Sequence, residues 1–174
     1  MRPSEDFETK LAHARTVEIA VATWLKARGA RILPVYDYSG LGSGKAPKLE
    51  AFSASDSLVT PDLLVARRGS LSWCEVKWKT SANLFKNTNE FETGIDLRLW
   101  RQYRHVKHET GARVFIVFAH EAEGYLTCDE LDVLDAMPSK RVYQGDRFAH
   151  MVNWPLRHLH RLAEYRDVIV ERAA

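Results

Sequence analysis

Two strand-like runs, Leu63 to Ala66 and Leu71 to Trp78, are separated only by Arg67-Arg68-Gly69-Ser70. So short a connection, with a glycine in it, leaves the chain one simple solution, a β-hairpin. Side chains alternate along a strand, so in the second run Glu75 and Lys77 share one face and Cys74, Val76 and Trp78 the other. Asp62 stands just ahead of the first run, and the hairpin brings its carboxylate beside them. Three ionisable groups therefore converge on one point.

The segments around the hairpin set its surroundings. Apolar positions at Leu11, Ala14, Val17, Val21, Trp24 and Leu25 have helical spacing over residues 8 to 28, closed by Gly29. Arg31 to Tyr36 reads as a short strand whose Pro34 suggests an edge or a bulge. Residues 37 to 60 run through Gly, Ser, Lys and Pro as a long loop, and residues 79 to 94 read as a mobile polar flap. Ile95, Leu99, Tyr103 and Val106 predict a second helix from Ile95 to about Thr110, ended by Gly111, and Arg113 to Ala119 is a strand of the buried type. Beyond it come a strand around Tyr125 to Thr127, a short helix after Cys128-Asp129, a strand around Arg141 to Tyr143 and a helix from Pro155. The expectation is an α/β fold, a central mixed sheet flanked by helices, with an αβββαβ core over about 8 to 120 and a C-terminal αβα extension over about 121 to 174.

Composition agrees with one compact domain over residues 1 to 174, because 45% hydrophobic residues can build a core and argue against disorder. No apolar run approaches the roughly 20 residues of a membrane-spanning helix, and the charged start Met1-Arg2-Pro3-Ser4-Glu5-Asp6 lacks the apolar stretch of a signal peptide. The expected compartment is the cytoplasm, with no membrane partner. Cys74 and Cys128 are too few for a disulfide framework or a four-ligand zinc site. A net charge of +2 makes no case for nucleic acid, so any basic surface is local.

Paired carboxylates at this separation suit a hard divalent cation such as magnesium. A cation held there polarises a phosphodiester oxygen and acidifies a bound water, while Lys77 orients or deprotonates the nucleophile and offsets developing charge. Without a metal, Glu75 and Lys77 would simply form a salt bridge on an αβ protein that has no metal affinity. Two further positions weigh on the choice. Glu18 lies on the apolar stripe of the first helix, where a carboxylate is costly unless paired or coordinated, and Gln102 lies among Leu99, Tyr103 and Val106 on the inward side of the second. Pairing with an arginine or capping of a strand edge would also account for them.

Pro61-Asp62 followed by Glu75-Val76-Lys77, preceded by a helix with Glu18 and followed by one with Gln102, resembles the PD-(D/E)XK nuclease superfamily, the restriction endonuclease-like fold. Within it the chain looks most similar to small resolvase-like or phage-type members. The resemblance covers about residues 8 to 120. It implies that Asp62 and Glu75 bind Mg2+ or Mn2+ together with the carbonyl of Val76, and that Lys77 is the catalytic lysine. It implies further that Glu18 reaches the metal directly or through water, and that Gln102 places the lysine or the substrate. One departure stands out: such nucleases often carry Gln-x-x-x-Tyr, whereas four residues after Gln102 stands Val106, and the tyrosine is Tyr103.

The same helix carries Arg98, Arg101, Arg104, His105 and His108 on the side away from its apolar positions, a candidate phosphate-binding stripe or an ordinary solvated face. Lys45 and Lys48, among glycines, could wrap a nucleic-acid backbone. Ser43-Gly44-Lys45 is not a P-loop, because Ser39 occupies the first glycine position and Ala46 replaces the magnesium-binding hydroxyl residue. The functional expectation is a Mg- or Mn-dependent DNA endonuclease, with a homodimer able to cut both strands. The alternative is a module of the same fold that grips branched nucleic acid without cutting it.

Overall fold

The computed structural model describes residues 5–35, 48–51, 56–86, 88–145 and 148–169. The predicted hairpin is formed by β4 (Leu63–Arg67) and β5 (Ser70–Lys79), with Leu63 opposite Cys74 and Arg67 opposite Ser70. Arg68 and Gly69 make the turn with positive φ of 50° and 80°. β1 (Arg31–Pro34) adds to β4 as an antiparallel edge, where Pro34 is tolerated.

On its other side β5 pairs in parallel with β8 (Arg113–His120), from Ser72 opposite Arg113 to Lys79 opposite His120. β9 (Tyr125–Glu130) and β12 (Arg161–Glu164) complete a six-stranded sheet in the order β1-β4-β5-β8-β9-β12. The apolar run in β8 is explained by its place: both faces of Val114, Ile116, Val117, Phe118 and Ala119 are covered.

Helix α1 (Glu5–Ala27) lies on one face of this sheet, where Val17, Val21 and Trp24 pack with Cys74, Val76 and Val117. Leu11, expected on its buried stripe, is 39% exposed. Helix α2 (Leu97–Thr110) lies on the other face, where Trp100, Tyr103 and Val106 pack with Trp73, Ile116 and Phe118. It starts two residues later than its periodicity predicts. Asp96 caps it by accepting the amides of Arg98 (2.6 Å) and Leu99 (3.3 Å), and Ile95 is held in a strand opposite Val152. Gly111, at φ 64°, ends it as expected.

Two expectations are corrected. The polar segment 79 to 94 contributes two strands: β6 (Asn83–Phe85) and β7 (Glu90–Asp96) join β10 (Arg141–Gly145) and β11 (Phe148–Pro155) in a second sheet of order β10-β11-β7-β6. Thr93 and Ile95 are buried, while Glu92 on the opposite face pairs with Arg141. The helix expected from Pro155 is a 3₁₀ turn (Leu156–His158) followed by β12 and only then by the short helix α4 (Tyr165–Ile169). Pairing with the open edge of β9 prevails there over local helix signals, so the region after 120 is richer in strands than an αβα extension. The short helix expected after Cys128-Asp129 is α3 (Leu131–Ala136), and a two-stranded piece, β2 (Lys48–Leu49) with β3 (Leu58–Val59), precedes Asp62. No helix among the described residues is long and apolar enough to cross a membrane.

Candidate active site

β4 begins only at Leu63, whereas β5 continues to Lys79 beside β8. The two strands part at this point. The carbonyl of Asp62 turns away to accept the amide of Val35 at 2.9 Å, while its side chain stays against β5, where Oδ2 accepts the amide of Val76 at 2.8 Å. That bond holds the Asp62 carboxylate beside Glu75, the residue before Val76.

Asp62 and Glu75 are 3% and 1% exposed. Lys77, 29% exposed, forms an ion pair with Glu75 Oε1. The salt bridge of the metal-free reading is thus present, but it accounts for only part of the site. Glu75 Oε2 is buried with no hydrogen-bond partner among the described residues, and beside it lies a second buried carboxylate. Burial, then the Glu75 charge and also that of Glu18, push the Asp62 carboxyl well above the usual carboxylate value, against the opposing pull of Lys77 and the Val76 amide. Like charges crowded out of water in this way are satisfied either by a proton or by a cation. The orphaned Glu75 oxygen and the acceptor-only chemistry of two carboxylates fit a hard divalent ion.

Glu18, half-buried in α1, is near enough for its charge to act on Asp62. Among the described residues no group of three or more His, Cys, Asp and Glu side chains is arranged to hold a metal ion, so Asp62 and Glu75 form a two-carboxylate set that Glu18 influences through its charge. Gln102 lies one layer out: its Oε1 accepts the amide of Val59 at 3.0 Å and ties α2 to the strand that leads into Thr60-Pro61-Asp62. Val76 contributes its amide to Asp62, and its side chain is buried under α1.

Lys79 did not emerge from the motif, although period-two alternation places it on the face of Glu75 and Lys77. Its Nζ donates to the Gly94 carbonyl at 2.6 Å and so latches β5 to β7 of the second sheet. Burial, with the Lys77 charge adding, lowers its pKa to about 8.

The basic stripe on α2 is divided. Arg98, Arg101, Arg104, His105 and His108 are all exposed, but Arg104 pairs with Asp135 at 3.6 Å and the neighbouring Lys107 with Asp132. Arg98 and Arg101 make no ion pair among the described residues. Lys48 is exposed in β2, opposite Val59, and Lys45, like most of the loop 37 to 60, lies outside the described residues.

No family model matches the chain, and neither does any curated protein. Solved structures do. One is Hjc, a Holliday junction resolvase from Archaeoglobus fulgidus, with a TM-score of 0.52 and 11% identity over 83% of this chain and 93% of that one. A nuclease from a fusselovirus aligns with a TM-score of 0.48 and 14% identity over 97% of this chain and 94% of that one. The chain has a resolvase-like, restriction endonuclease-like fold.

Proposed function

We propose that this protein is a metal-dependent nuclease that hydrolyses phosphodiester bonds, acting on DNA as an endonuclease. The observation that carries the reading is the parting of β4 from β5, which leaves two buried carboxylates side by side, one with an orphaned oxygen, next to a lysine that reaches solvent. The fold shared with a resolvase supports nucleic acid as the substrate.

Asp62 and Glu75 would hold Mg2+ or Mn2+, with the Val76 carbonyl as a further donor and Glu18 acting directly or through water. When bound, such an ion supplies Lewis acidity at a phosphoryl oxygen and lowers the pKa of its water. Lys77, ion-paired on one side and exposed on the other, orients the attacking water and offsets charge on the phosphate. Gln102 acts through Val59, fixing the approach of Asp62, and is a positioning residue. Arg98, Arg101, His105 and Lys48 are the exposed groups offered to a phosphate backbone, with Arg104 contributing less because of Asp135.

Supercoiled plasmid incubated with the protein in manganese, magnesium or EDTA tests this directly. Nicking or linearisation should require the metal and should vanish in Lys77→Ala, since a closed circle offers no end to an exonuclease. Cleavage that persists in EDTA or in Lys77→Ala would overturn the assignment.

A further inference from the structure

The face of the main sheet that turns away from Glu75 and Lys77 carries a cavity of about 470 Å³ near the turn end of the hairpin. Strand register places it. Val65 stands opposite Ser72, Ser72 opposite Arg113, Cys74 opposite Phe115 and Val117 opposite Cys128, so side chains of β4, β5, β8 and β9 share one surface. Val21, Trp24 and Leu25 of α1 and Leu162 of β12 complete its apolar lining. Ser72 is five residues from Lys77 along β5, roughly 17 Å, and on the opposite face of the strand. The cavity is therefore separate from the candidate active site, and its size lies within the roughly 300–1,000 Å³ of small-molecule sites.

Floor and rim differ in chemistry. On the floor the Ser72 hydroxyl is the one strong hydrogen-bonding side chain, because burial raises the pKa of both thiols, that of Cys128 to about 12, and keeps them neutral. Leu25, Ser72, Phe115, Cys128 and Leu162 are only half-buried, so this surface is open to a ligand. The rim holds four exposed guanidiniums from separate elements, Arg28, Arg67, Arg68 and Arg113, and no carboxylate lines the cavity. Two of the four are engaged. Arg113 donates to Glu130 at 2.9 Å and covers the Phe115 ring at 4.8 Å, and Arg28 donates to the Trp24 carbonyl at 3.3 Å and covers the Trp24 ring at 3.8 Å. Arg67 and Arg68 are neighbours in the hairpin turn, which Ser70 fixes by donating its hydroxyl to the Arg67 carbonyl at 2.9 Å, and they make no ion pair among the described residues.

We propose that this cavity binds a small amphiphilic carboxylate, with an aliphatic chain on the floor and the carboxylate against Arg67 and Arg68. The floor decides the body of the ligand. An aliphatic chain needs no hydrogen bonds there, whereas a sugar, a nucleobase or a peptide backbone would exchange water for a surface that offers its polar groups almost nothing. The rim decides the head. Guanidiniums present paired N–H donors that match a carboxylate, and a rim of four cations without an acid repels an ammonium head. The assignment is independent of the nuclease reading, since it uses the opposite face of β5.

Isothermal titration of the full chain with octanoate, hexanoate, 1-octanol, octylammonium and acetate tests this. Octanoate should bind saturably at one site, and hexanoate roughly tenfold or more weakly, at about fourfold for each methylene removed from the floor. Losing the charged head should make 1-octanol roughly tenfold weaker than octanoate, and octylammonium and acetate should give no saturable heat. Arg67→Gln with Arg68→Asn should lower octanoate to the level of 1-octanol; asparagine tolerates the positive φ of 50° at position 68. Ser72→Phe, which fills the floor and leaves the arginines in place, should abolish binding of octanoate and 1-octanol alike, with a thermal melt confirming that the variant folds. If it does not fold, the arginine pair decides, because both positions are exposed. The proposal is overturned if octanoate gives no saturable binding, if octylammonium binds as tightly as octanoate, or if the arginine variant keeps the octanoate affinity. Binding of an acidic, leucine-containing peptide where octanoate does not bind would assign the face to a protein partner and overturn it as well.

Discussion

Asp62 is held by the Val76 amide where Glu75 repels it, an arrangement that only a proton or a cation relieves. The sign of the effect on stability follows. A carboxyl whose folded pKa is raised binds its proton more tightly in the folded state, so its contribution to stability falls as the pH climbs through the gap between the unfolded and folded values. At neutral pH and without metal, Asp62→Asn should therefore raise the melting temperature. Wild-type protein should gain about 2.7 kcal/mol when the metal is at a hundredfold its Kd, and Asp62→Asn should gain almost none; thermal melts with and without manganese check both halves. His120 behaves in the opposite direction along the pH axis. It is 0% exposed, neither ring nitrogen has a hydrogen-bond partner among the described residues, and burial lowers its pKa from 6.5 to about 4. Its neutral form is the folded one, so stability is full above pH 6.5 and is lost as the pH falls towards 4, by on the order of 3 kcal/mol for such a shift. Denaturant titrations at pH 7 and pH 4.5 should show this loss, and His120→Phe, which can pack between Phe118 and Tyr125, should shrink it.

At the scale of elements, the seam between β7 and β11 is the tightest constraint. A Cβ on Gly94 would lie 1.8 Å from Asn153 Oδ1 and 2.2 Å from the Val152 carbonyl, which is strand backbone and cannot swing aside. Gly94→Ala should cost at least about 2–3 kcal/mol in denaturant titrations, at the upper end of overpacking effects. Because the Gly94 carbonyl also receives Lys79, the disruption should reach the candidate site on β5 and lower the cleavage proposed for it in the folded fraction. The hairpin and both long helices were legible in the sequence because their signals are local: a glycine turn, a 3.6-residue period, a glycine stop. The β6–β7 ribbon was not. Of its buried positions, Glu92, Thr93, Gly94 and Ile95, only Ile95 is a large apolar residue, and the partners Trp154 of Thr93 and Val152 of Ile95 arrive some sixty residues later in the chain.

For the molecule as a whole, a net charge of +2 means that attraction to a polyanion depends on where the charges are. Helix α3 brings Asp132 and Asp135 against Lys107 and Arg104, leaving Arg98 and Arg101 as the exposed arginines of α2 that no such pair opposes among the described residues. Arg98→Ala with Arg101→Ala should weaken DNA binding and reduce the slope of log affinity against log salt by about 2, roughly 0.9 for each phosphate that is no longer neutralised, whereas Arg104→Ala should change it less. Filter binding over a salt series distinguishes the two. Neighbouring residues alone place the hairpin, the flanking helices and the meeting of Asp62, Glu75 and Lys77, because strand alternation and a short turn are local properties. Contacts between distant parts of the chain left Glu75 its orphaned oxygen, tied Gln102 to Val59, and made a turn and a strand rather than a helix follow Pro155. Each of these depends on residues far apart in the chain, and burial and strand pairing between such residues overrule local preference.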